Sequence, residues 1–548
     1  MTNELKGRRI LILGAGIMQG PALAIARSMG LYTVAVDGDP RAPEASHADR
    51  FERLDLKDKE GIAALGRDLQ SGGGLDGVMT AGTDFSASVA WVAERLGLPG
   101  IPYEAALNAS DKDRMRRCFA AAGVPSPGFA VFTAETAGDA AGGLPFDFPA
   151  VVKPVDNMGS RGCRRVDTPE ELAAALGEAL GFSRSGRVIV EEFMEGPEFS
   201  VDAIVHKDDI RVCGFADRHI FFPPYFIEMG HTMPSALREA ETRALLEAFF
   251  AGIRALGIAA GWGAAKGDLK LTPRGPMIGE IAARLSGGYM SGWTYPYASG
   301  VEVTRGAILA ALGLPWTPGP DRNWTSAERA LISIPGKAFS IHGLEQAHST
   351  EHVKNVFLRV EAGSAVRFPE NNVSKCGNAI SAAPDRAAAA EAAEKSARTI
   401  LIRLAIGQRD TDEFLESSGE DGAFPPSAYA LQPEMRLLLE ALPDSPRPEA
   451  PPDRETLSRL GVYPFPEFAE SALRDFAGRT PGETLEAIRI ITALPLPIMD
   501  KDREGSPGIL GRPFWRSLIR GGYQGAVYYL DTLCNQAKSE DRPFHEQA

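Results

Sequence analysis

Short apolar runs alternate with helix-like patterns over residues 8 to 110. Arg9–Leu13 and Tyr32–Val36 are apolar runs of strand length, whereas Pro21–Met29 and Phe85–Leu96 have helical spacing. Strands that alternate with helices in this way predict a parallel sheet covered on both faces. We therefore expect an α/β domain at the start of the chain.

The pattern changes after residue 111. Lys112–Ala122 and Pro169–Leu180 have helical spacing, and an apolar strand is predicted around Val151. Residues 188 to 290 are rich in predicted strands and contain one long helix, Arg238–Leu256. An alanine-rich helix is predicted from Asp385 to Leu404. This middle part is therefore expected to be of mixed α and β structure.

The last part of the chain has a different character. Ser417–Pro426 is polar, and Pro443–Pro452 contains five prolines, which is typical of linkers or surface loops. Residues 454 to 535 have helical apolar spacing, as at Leu473, Phe476, Leu485, Ile488 and Ile491. The end of the chain is aromatic, with Phe514, Trp515, Tyr523, Tyr528 and Tyr529. These residues are suited to pack against the rest of the chain, to cover an active site or to form a subunit contact.

Composition excludes several classes of protein. The net charge of -14 argues against binding to nucleic acid, because affinity for the phosphate backbone depends on accumulated Lys and Arg. The five cysteines have no metal-ligand spacing and are expected to be reduced thiols. No secretory signal or membrane span is recognisable, so we expect a cytoplasmic protein without a membrane partner.

A glycine-rich turn follows the first predicted strand. Gly14, Gly16 and Gly20, with Asp37 further on, are similar to a dinucleotide-binding fingerprint, but the third glycine falls one position late. A turn of this kind also serves to pack a helix closely on a sheet. We favour the packing interpretation, because no hydride-transfer site is evident elsewhere.

A lysine and a second glycine-rich turn follow the strand at Val151. Lys153 ends that strand, and Gly159, Ser160, Arg161 and Gly162 form a turn whose backbone N–H groups suit an anion. No Walker A sequence is present. A nucleotide site in this chain would therefore be of another kind. For Lys153, the alternative to a phosphate ligand is a lysine that is simply solvated at the end of its strand.

Two acidic segments complete the candidate chemistry. Glu191–Met194 and Glu198 follow an apolar strand, either as an acidic strand end or as a hinge whose backbone meets adenine. Asp268 and Glu280 lie on two strands joined by a short turn, which can place both carboxylates on one face. Paired oxygen ligands suit Mg²⁺, although carboxylates on a hairpin are also commonly just solvated.

Taken in order, these segments resemble the ATP-grasp superfamily, and within it the carboxylate–amine ligases such as L-amino-acid ligases. The group is similar to the carbamoyl-phosphate synthetase large subunit and to biotin carboxylase. The resemblance covers about residues 8 to 405. It includes the motifs Leu11–Gly16, Val36–Asp39, Thr80–Asp84, Leu96–Gly100 and Asp111–Arg116, together with the segments at Lys153, Glu191 and Glu280–Gly288.

The resemblance implies a fold and a division into domains. A Rossmann-like pre-ATP-grasp domain with a parallel sheet would occupy residues 1–110. The two-subdomain ATP-grasp fold would follow, with a lid at 111–188 and a catalytic subdomain at 189–405. Residues 406–548 would form a mostly helical extension of unassigned role.

The resemblance also implies roles for individual residues. ATP and Mg²⁺, or Mn²⁺ in its place, would be the cofactors. The phosphate and nucleoside ligands would be Lys112 and Lys153 for the α- and β-phosphates, Gly159, Ser160, Arg161 and Gly162 for the β- and γ-phosphates, Glu191, Glu192, Phe193 and Met194 for adenine, and Glu198 for ribose. Asp268 and Glu280 would hold the metal, and Arg284 would steady the transferred phosphoryl group.

Two positions depart from the family pattern. The strand often reads Glu-Ile-Asn before the arginine, and here Ala282 replaces the metal-binding Asn. The first metal-binding acid is Asp268, where Glu is usual. Because alanine cannot coordinate a cation, we expect a water in its place or weaker binding of one metal. The resemblance assigns this change to the amide-forming subgroup.

A further segment, Phe226–Ser235, resembles a loop that approaches the acceptor in amino-acid ligases. Glu228 and His231 lie in it, and His231 is a candidate general base because its ordinary pKa is near neutrality. A hydrogen-bonding surface histidine is the alternative.

The favoured hypothesis is an ATP-dependent carboxylate–amine ligase that acts through an acyl phosphate. Its partners would be small-molecule carboxylates and amines, in particular amino acids, and a homodimer is compatible with the sequence. A bicarbonate-activating enzyme and a non-catalytic nucleotide-binding scaffold are the alternatives. The chain has no second ATP module and no biotinyl-type segment, which disfavours the first of these.

Overall fold

The computed structural model describes residues 5–417, 433–444 and 511–540, together with Glu486 and Ile490. The linkers predicted around 417–426 and 443–452 lie almost entirely outside these ranges. The helical spacing predicted at Leu473, Phe476, Leu485, Ile488 and Ile491 lies outside them as well.

Helices and strands are mixed along the described chain. The α-helices are α1 Gly20–Ser28, α2 Lys59–Ser71, α3 Ser86–Arg95, α4 Tyr103–Ser110, α5 Lys112–Ala122, α6 Pro169–Phe182, α7 Glu239–Leu256, α8 Tyr295–Ser299, α9 Val303–Ala311, α10 Leu344–His348, α11 Arg386–Thr399, α12 Arg409–Glu416, α13 Pro433–Glu440 and α14 Arg512–Glu540. The strands are β1 Arg9–Leu13, β2 Tyr32–Asp37, β3 Arg50–Arg53, β4 Gly77–Met79, β5 Phe129–Thr133, β6 Ala150–Pro154, β7 Arg164–Val166, β8 Arg187–Glu192, β9 Glu198–His206, β10 Asp209–Phe221, β11 Ile227–Met233, β12 Trp262–Thr272, β13 Gly275–Ala282, β14 Thr325–Leu331, β15 Gly336–His342, β16 Val353–Leu358, β17 Ala365–Val366, β18 Gly377–Ala383 and β19 Leu401–Leu404.

The chain divides into two compact units. The first contains the residues up to His219, together with His231–Ala327 and Ala382–Ala389. The second contains Ile220–Gly230, Glu328–Ser381 and the described residues from Ala390 onward. The predicted domain boundaries at 110, 188 and 405 stay predictions.

The first unit begins with a four-stranded parallel sheet in the order β3-β2-β1-β4. The side chains of β1 alternate between two apolar clusters: Ile10 and Ile12 belong to one, and Leu11 and Leu13 to the other. Both faces of the sheet are therefore covered, and the prediction of a parallel α/β domain is confirmed.

The glycine turn after β1 is filled by the protein itself. A Cβ atom on Gly14 would lie 3.0 Å from the Gln19 side chain, and Gly14 has a φ of +98°. Gly16 N donates to Gln19 Oε1 at 2.9 Å, and Ala15 N donates to Asp37 Oδ2 at 2.9 Å. Because Gln19 and Asp37 both satisfy the turn, these contacts support the packing interpretation.

Two antiparallel sheets complete the framework of the first unit. One has the order β5-β8-β6-β7 and is covered by α6, through apolar residues such as Val152, Leu172 and Val188. The other contains β13-β12-β9-β10 and packs on α7. Gly267 of β12 allows this approach, since a Cβ atom there would lie 2.7 Å from the Phe249 ring of α7.

The second unit has its own core. β14, β18 and β16 lie side by side, and a smaller sheet has the order β17-β15-β19. Helix α14, interrupted at Gly522, packs on β19 and α12. Tyr528 of α14 is part of the apolar cluster of this unit, and Phe514, Trp515 and Tyr523 are also buried. The aromatic end of the chain thus packs into the second unit.

Two predicted elements are wrong. The helix expected to reach Leu404 ends at Thr399, and residues 401–404 form β19, which pairs antiparallel with β15. Leu401, Ile402 and Leu404 are buried there, so the pairing with β15 is accompanied by removal of their apolar surface from water. The segment 226–235, expected to be a loop, contains β11, whose Ile227 and Met229 are buried in the core of the second unit.

Candidate functional site

A β-hairpin in the first unit places two carboxylates opposite each other. Asp268 of β12 pairs with Glu280 of β13 in the antiparallel register, and the hairpin turns at Thr272–Gly275. Directly opposed residues project from the same face of a sheet. The predicted placement of Asp268 and Glu280 on adjacent strands and one face is therefore confirmed.

The two carboxylates have different surroundings. Asp268 forms a close ion pair with Lys266 and a second with Arg218, whose Nη1 lies 3.0 Å from Asp268 Oδ1. Within the described part of the chain, Glu280 forms no ion pair within 4.0 Å. The Glu280 oxygens are thus available to an added ligand, whereas Asp268 already shares its charge with two cations.

Four cations nevertheless surround Glu280 at longer range. Burial alone would raise the pKa of Glu280, but positive charges outweigh it and lower the pKa to about 2. These charges belong to Lys112, Lys266, Lys153 and Arg284. An excess of positive charge around one carboxylate suits a polyanion that would bring its own negative charge.

Lys153 belongs to a buried ion triad. Its Nζ lies 2.6 Å from Glu191 Oε2, and Arg116 Nε donates to Glu191 Oε1 at 2.9 Å. The Glu191 side chain is only 3% exposed, so its carboxylate cannot meet a ligand while it holds this triad together. Burial would raise the pKa of Glu191, but Arg116 and Lys153 lower it below its usual range.

The predicted adenine hinge is partly engaged within the protein. Glu192 N donates to Gly128 O at 2.9 Å, and Phe193 N donates to Pro149 O at 3.1 Å. The Met194 carbonyl accepts from Lys270 Nζ at 2.9 Å. The role of Glu191–Met194 in binding adenine stays a prediction. Adenine would have to bind to the backbone groups of this segment that do not make the bonds described above.

The residues predicted for the nucleoside lie close together. Glu198 forms a close ion pair with Arg218, and Lys270 Nζ lies 3.9 Å from its Oε2. The Phe193 ring is flanked by the Arg165 guanidinium, 4.5 Å from the ring centroid, and by Lys270 Nζ, 5.1 Å from it. Cation–π contacts of this kind fix the ring that would adjoin the nucleoside.

Helix α5 presents Lys112 at its first turn. Asp111 caps the helix by accepting from Arg114 N at 3.1 Å. Arg187 contacts Asp111 closely and donates to Asp113 Oδ2 at 2.9 Å. Lys112 is 6% exposed, and its Nζ donates to Asn157 O at 2.8 Å. Lys112 is thereby joined to the start of the predicted phosphate loop.

The glycine loop after β6 has an unusual backbone. Gly159, Ser160 and Gly162 have φ values of 66°, 59° and 65°. Positive φ angles in a short turn are compatible with backbone N–H groups that converge on an anion. Arg161 of this loop lies 3.5 Å from Asp84, from its Nη2 to Oδ2. The loop predicted to cover phosphate therefore also contacts the N-terminal parallel domain.

Arg284 lies at the end of β13, followed by a turn held by Asp202. Ser286 N donates to Asp202 Oδ1 at 2.8 Å, and the Ser286 hydroxyl makes a close second bond to Asp202. Burial raises the pKa of Asp202 to about 6, although Ser286, Lys266 and Arg284 act in the opposite direction. Sequence reasoning missed Asp202, although a lone carboxylate within the apolar run of β9 was a usable signal.

Asp84 is a second carboxylate that sequence reasoning gave no role. It follows β4, in a loop where Ala81 forms a parallel bridge with Leu285. Burial raises the pKa of Asp84 above its usual range, while Arg284 and Arg161 lower it. Its presence in the Thr80–Asp84 motif was the available signal.

The two residues predicted to face the acceptor are placed differently from each other. His231 is fully buried in the first unit, and its Nε2 lies 2.8 Å from Thr294 Oγ1. Glu228 belongs to the second unit, where its N donates to Asn372 Oδ1 and its carbonyl accepts from Lys375 Nζ, both at 2.7 Å. Their catalytic roles stay predictions. Complete burial disfavours direct contact of His231 with a soluble substrate, because a general base must reach the proton it takes.

A search of the described residues for metal and membrane features gives two results. No group of three or more His, Cys, Asp and Glu side chains is arranged to hold a metal ion. The pair Asp268 and Glu280 fits Mg²⁺ only together with outside oxygens, which Mg²⁺ commonly takes from substrate phosphates and water. Among the described helices, none has the length and apolar character needed to cross a membrane.

Two models of known protein families match parts of the chain. A model of the ATP-grasp domain matches residues 146–292, and a model described as L-amino acid ligase C-terminal domain 2 matches residues 329–405. Residues 146–292 therefore contain an ATP-grasp domain. The predictions of an ATP-grasp fold, of a resemblance to the carboxylate–amine ligases and of an enzyme of the ligase class are confirmed.

Relatives of this ATP-grasp chain include several ligases. It is 28% identical to carnosine synthase 1 of Gallus gallus, over 57% of this chain and 36% of that protein. It is 30% identical to a D-alanine–D-alanine ligase of Marinobacter nauticus, over 36% of this chain and 63% of that protein. It is 27% identical to an uncharacterised protein of Sinorhizobium fredii, y4rH, over 68% of this chain and 78% of that protein. The chain thus spans less than two thirds of both named ligases.

Solved structures show the same fold. The L-amino acid ligase from Bacillus licheniformis aligns with a TM-score of 0.62 and 22% identity, over 73% of this chain and 99% of that chain. Phosphoribosylglycinamide synthetase from Anaerococcus prevotii aligns with a TM-score of 0.57 and 22% identity, over 73% and 100%. At these identities the likeness shows the fold alone.

Proposed function

We propose that this ATP-grasp protein is an ATP-dependent carboxylate–amine ligase that forms an amide bond through an acyl phosphate. The observation that carries the proposal is the setting of Glu280. Its carboxylate has no direct ion-pair partner within the described chain and is surrounded by four cations, opposite a second carboxylate. This arrangement suits a metal-bound triphosphate, because it offers oxygen ligands for a cation and positive charge for phosphates.

In this proposal the chain's cations position the phosphates of ATP. Lys112 and Lys153 would contact the α- and β-phosphates, and the loop 159–162 would cover the β- and γ-phosphates. Arg284 would lie beside the γ-phosphoryl group as it moves. Phosphoryl transfer needs mainly positioning and neutralisation of charge, so fixed cations of this kind can supply much of the catalysis.

Asp268 and Glu280 would hold Mg²⁺, with oxygens from the nucleotide and water completing its shell. Bound there, Mg²⁺ would supply charge neutralisation between the phosphates. Ala282 offers no ligand, and it faces Lys266 across the hairpin, in the antiparallel register. Lys266 is thus the register partner of the position at which the family pattern often has a third oxygen ligand.

The reaction would take place in two steps. A carboxylate oxygen of the first substrate attacks the γ-phosphorus, and the bond between that phosphorus and the oxygen of ADP breaks. An uncharged amine then attacks the acyl carbon, the bond to phosphate breaks, and the amine loses its proton. The products are an amide, ADP and inorganic phosphate. Closure of the lid would keep water from the acyl phosphate.

The names of the relatives support amino acids as substrates. The family model at residues 329–405 and the Bacillus licheniformis neighbour both carry the name of L-amino acid ligases. D-alanine–D-alanine ligase is also named for joining amino acids, whereas carnosine synthase is named for its product. We therefore propose an amino acid as at least one substrate of this chain.

The test is ADP release with amino acids supplied singly and in pairs, and with hydroxylamine as a trap for an acyl phosphate. The wild-type chain should release ADP in the presence of an acid and convert that acid to a hydroxamate. Lys153→Ala should reduce both activities by about 10²–10³-fold. ADP release that depends on bicarbonate rather than on an amine would replace the proposal by a bicarbonate-activating function.

A matched control comes from an exposed ion pair of the same unit. Asp209 pairs with Arg211 on β10, and its side chain is 51% exposed. Asp209→Asn should leave ADP release unchanged. Nucleotide binding without turnover of any acid and amine pair would favour a non-catalytic scaffold instead.

A further inference from the structure

One carboxylate of the phosphate site has no part in the proposed handling of ATP. Asp84 lies in the loop after β4, outside the β12–β13 hairpin and outside the sheet β5-β8-β6-β7. It nevertheless interacts with Arg284 and Arg161, which follow strands of those two parts. The largest charge interactions on it come from Arg284 and Arg161, followed by Glu280 and Lys112. A carboxylate in this position would repel phosphates. Its presence there is explained if it binds a positively charged group of a second ligand.

The backbone fixes Asp84 beside Arg284. Ala81 and Leu285 form a parallel bridge, and bridged backbones lie about 5 Å apart. A Cβ atom on Gly82 would lie 3.3 Å from the Gly287 Cα, so the loops that contain Asp84 and Arg284 are pressed together. Gln19 reinforces this arrangement with a close hydrogen bond from its Nε2 to the Ala81 carbonyl.

Asp84 remains within reach of a small molecule. Its side chain is 17% exposed, and its ion pair with Arg161 is long, at 3.5 Å. Arg161 belongs to the loop proposed to cover the β- and γ-phosphates. If Arg161 turns to the phosphates when ATP binds, Asp84 loses that neighbour and gains affinity for another cation.

A neighbouring guanidinium and carboxylate are complementary to a zwitterion. In an α-amino acid one carbon separates the carboxylate from the ammonium group. We infer that Asp84 binds the α-ammonium group of the amino acid whose carboxylate is activated beside Arg284. This inference rests on the proposed function, and it assigns the first substrate to the class of free α-amino acids.

The experiment compares acids with and without the amine in the hydroxylamine trap. L-phenylalanine and 3-phenylpropionate form one such pair, and L-alanine and propionate form another. For the wild type, the KM of the amino acid should be lower than that of its des-amino partner. Asp84→Asn should raise the KM of the amino acid by about tenfold to a hundredfold, as expected for the loss of a charged hydrogen bond. The KM of the des-amino acid and the KM of ATP should each change by less than about threefold.

Other outcomes separate the two proposals. An equal change in KM for both members of a pair, or a rise in the KM of ATP alone, would show that Asp84 serves the lid through Arg161 and would overturn the inference. Formation of no hydroxamate by the wild type from any of the four acids would overturn the proposed function, and the ammonium site with it. Asp84→Glu keeps the charge and should restore part of the preference for the amino acid. Asp209→Asn should behave as the wild type.

Discussion

Glu191 and Glu280 are two glutamates of the same unit, each surrounded by cations, and they are used in opposite ways. Glu191 is buried and directly bonded to Arg116 and Lys153. Glu280 experiences four positive charges but has no ion pair among the described residues. In both, the cations lower the pKa against the effect of burial. The difference indicates that Glu191 has a structural role, because it connects Arg116 with Lys153. Glu280 is instead suited to bind a ligand.

Removal of the Glu191 charge should have the largest effect, and it should be on stability. Glu191→Gln leaves Arg116 and Lys153 buried without their counterion, and loss of one partner of a buried pair costs about 3–5 kcal/mol. Urea denaturation measures this change in the free energy of unfolding. Glu178→Gln on α6, which removes a pair with Arg164 in which each side chain is about one third exposed, should cost less than about 1 kcal/mol. A loss at Glu191 no greater than at Glu178 would contradict the comparison.

The matching change at Glu280 should affect activity more than stability. Glu280→Gln removes a proposed metal ligand and should lower ADP release by about 10²–10³-fold. No direct ion pair is broken, so the free energy of unfolding should fall by less than in Glu191→Gln. Partial recovery of activity at a higher Mg²⁺ concentration would further support Glu280 as a metal ligand. A Glu280→Gln variant that is destabilised as much as Glu191→Gln but keeps full specific activity when folded would reverse the assignment of the two glutamates.

Asp202 adds a carboxylate of a third kind, buried and bonded to a neutral serine. Its pKa is raised from 3.8 to about 6 in the folded chain, so the folded state binds the proton more tightly than the unfolded state. The free energy of unfolding should therefore fall as pH rises from about 4 to about 6, by about 2–3 kcal/mol. Asp202→Asn should remove this fall, which denaturation at several pH values would show. The pKa of Glu280 is lowered, so its contribution to the free energy of unfolding has the opposite dependence on pH. That contribution is complete above a pH of 4.5 and is lost as the pH falls toward about 2.

The smallest expected effect concerns Ala282, beside Glu280. Ala282→Asn adds an amide oxygen and should lower the Mg²⁺ concentration at half-maximal activity by a few-fold, or less than about 1 kcal/mol. A titration of activity with Mg²⁺ measures this shift. Ala283→Asn is the control, because Ala283 packs in the apolar core beneath the hairpin. It should destabilise the chain without changing the metal requirement, and an equal shift in both variants would mean that the added oxygen is not a ligand.

Elements with local signals could be predicted from the sequence. Helix α5 has the predicted bounds Lys112–Ala122 because Asp111 caps its start and Gly123, with a φ of 68°, ends it. The pairing of Asp268 with Glu280 followed from a short turn between two apolar runs. β19 could not be foreseen in this way, because its partner β15 lies about 60 residues earlier and only that pairing makes residues 401–404 a strand.

The candidate site shows the same limit. Lys153 was found because it lies at the end of a recognisable strand, Glu280 because it shares a predicted hairpin with Asp268, and Lys112 because of the resemblance to ATP-grasp proteins. Asp84 and Asp202 were given no role, since their importance depends on contacts with residues about 80 to 200 positions away. A sequence shows that such a carboxylate exists, but only the fold shows which cations it faces.

The packing of α14 has a consequence for how the chain is made. Gln524 donates to Ser333 Oγ at 2.8 Å and to the Ile402 carbonyl at 2.9 Å, and Tyr528 donates to Asp412 at 2.8 Å. A ribosome therefore releases the partners of this helix more than a hundred residues before the helix itself. The first unit can fold while synthesis continues, since domains generally fold as units and N-terminal ones first. The second unit must wait with an unfinished core, so any pause or cut before residue 512 leaves its apolar surface open to other chains.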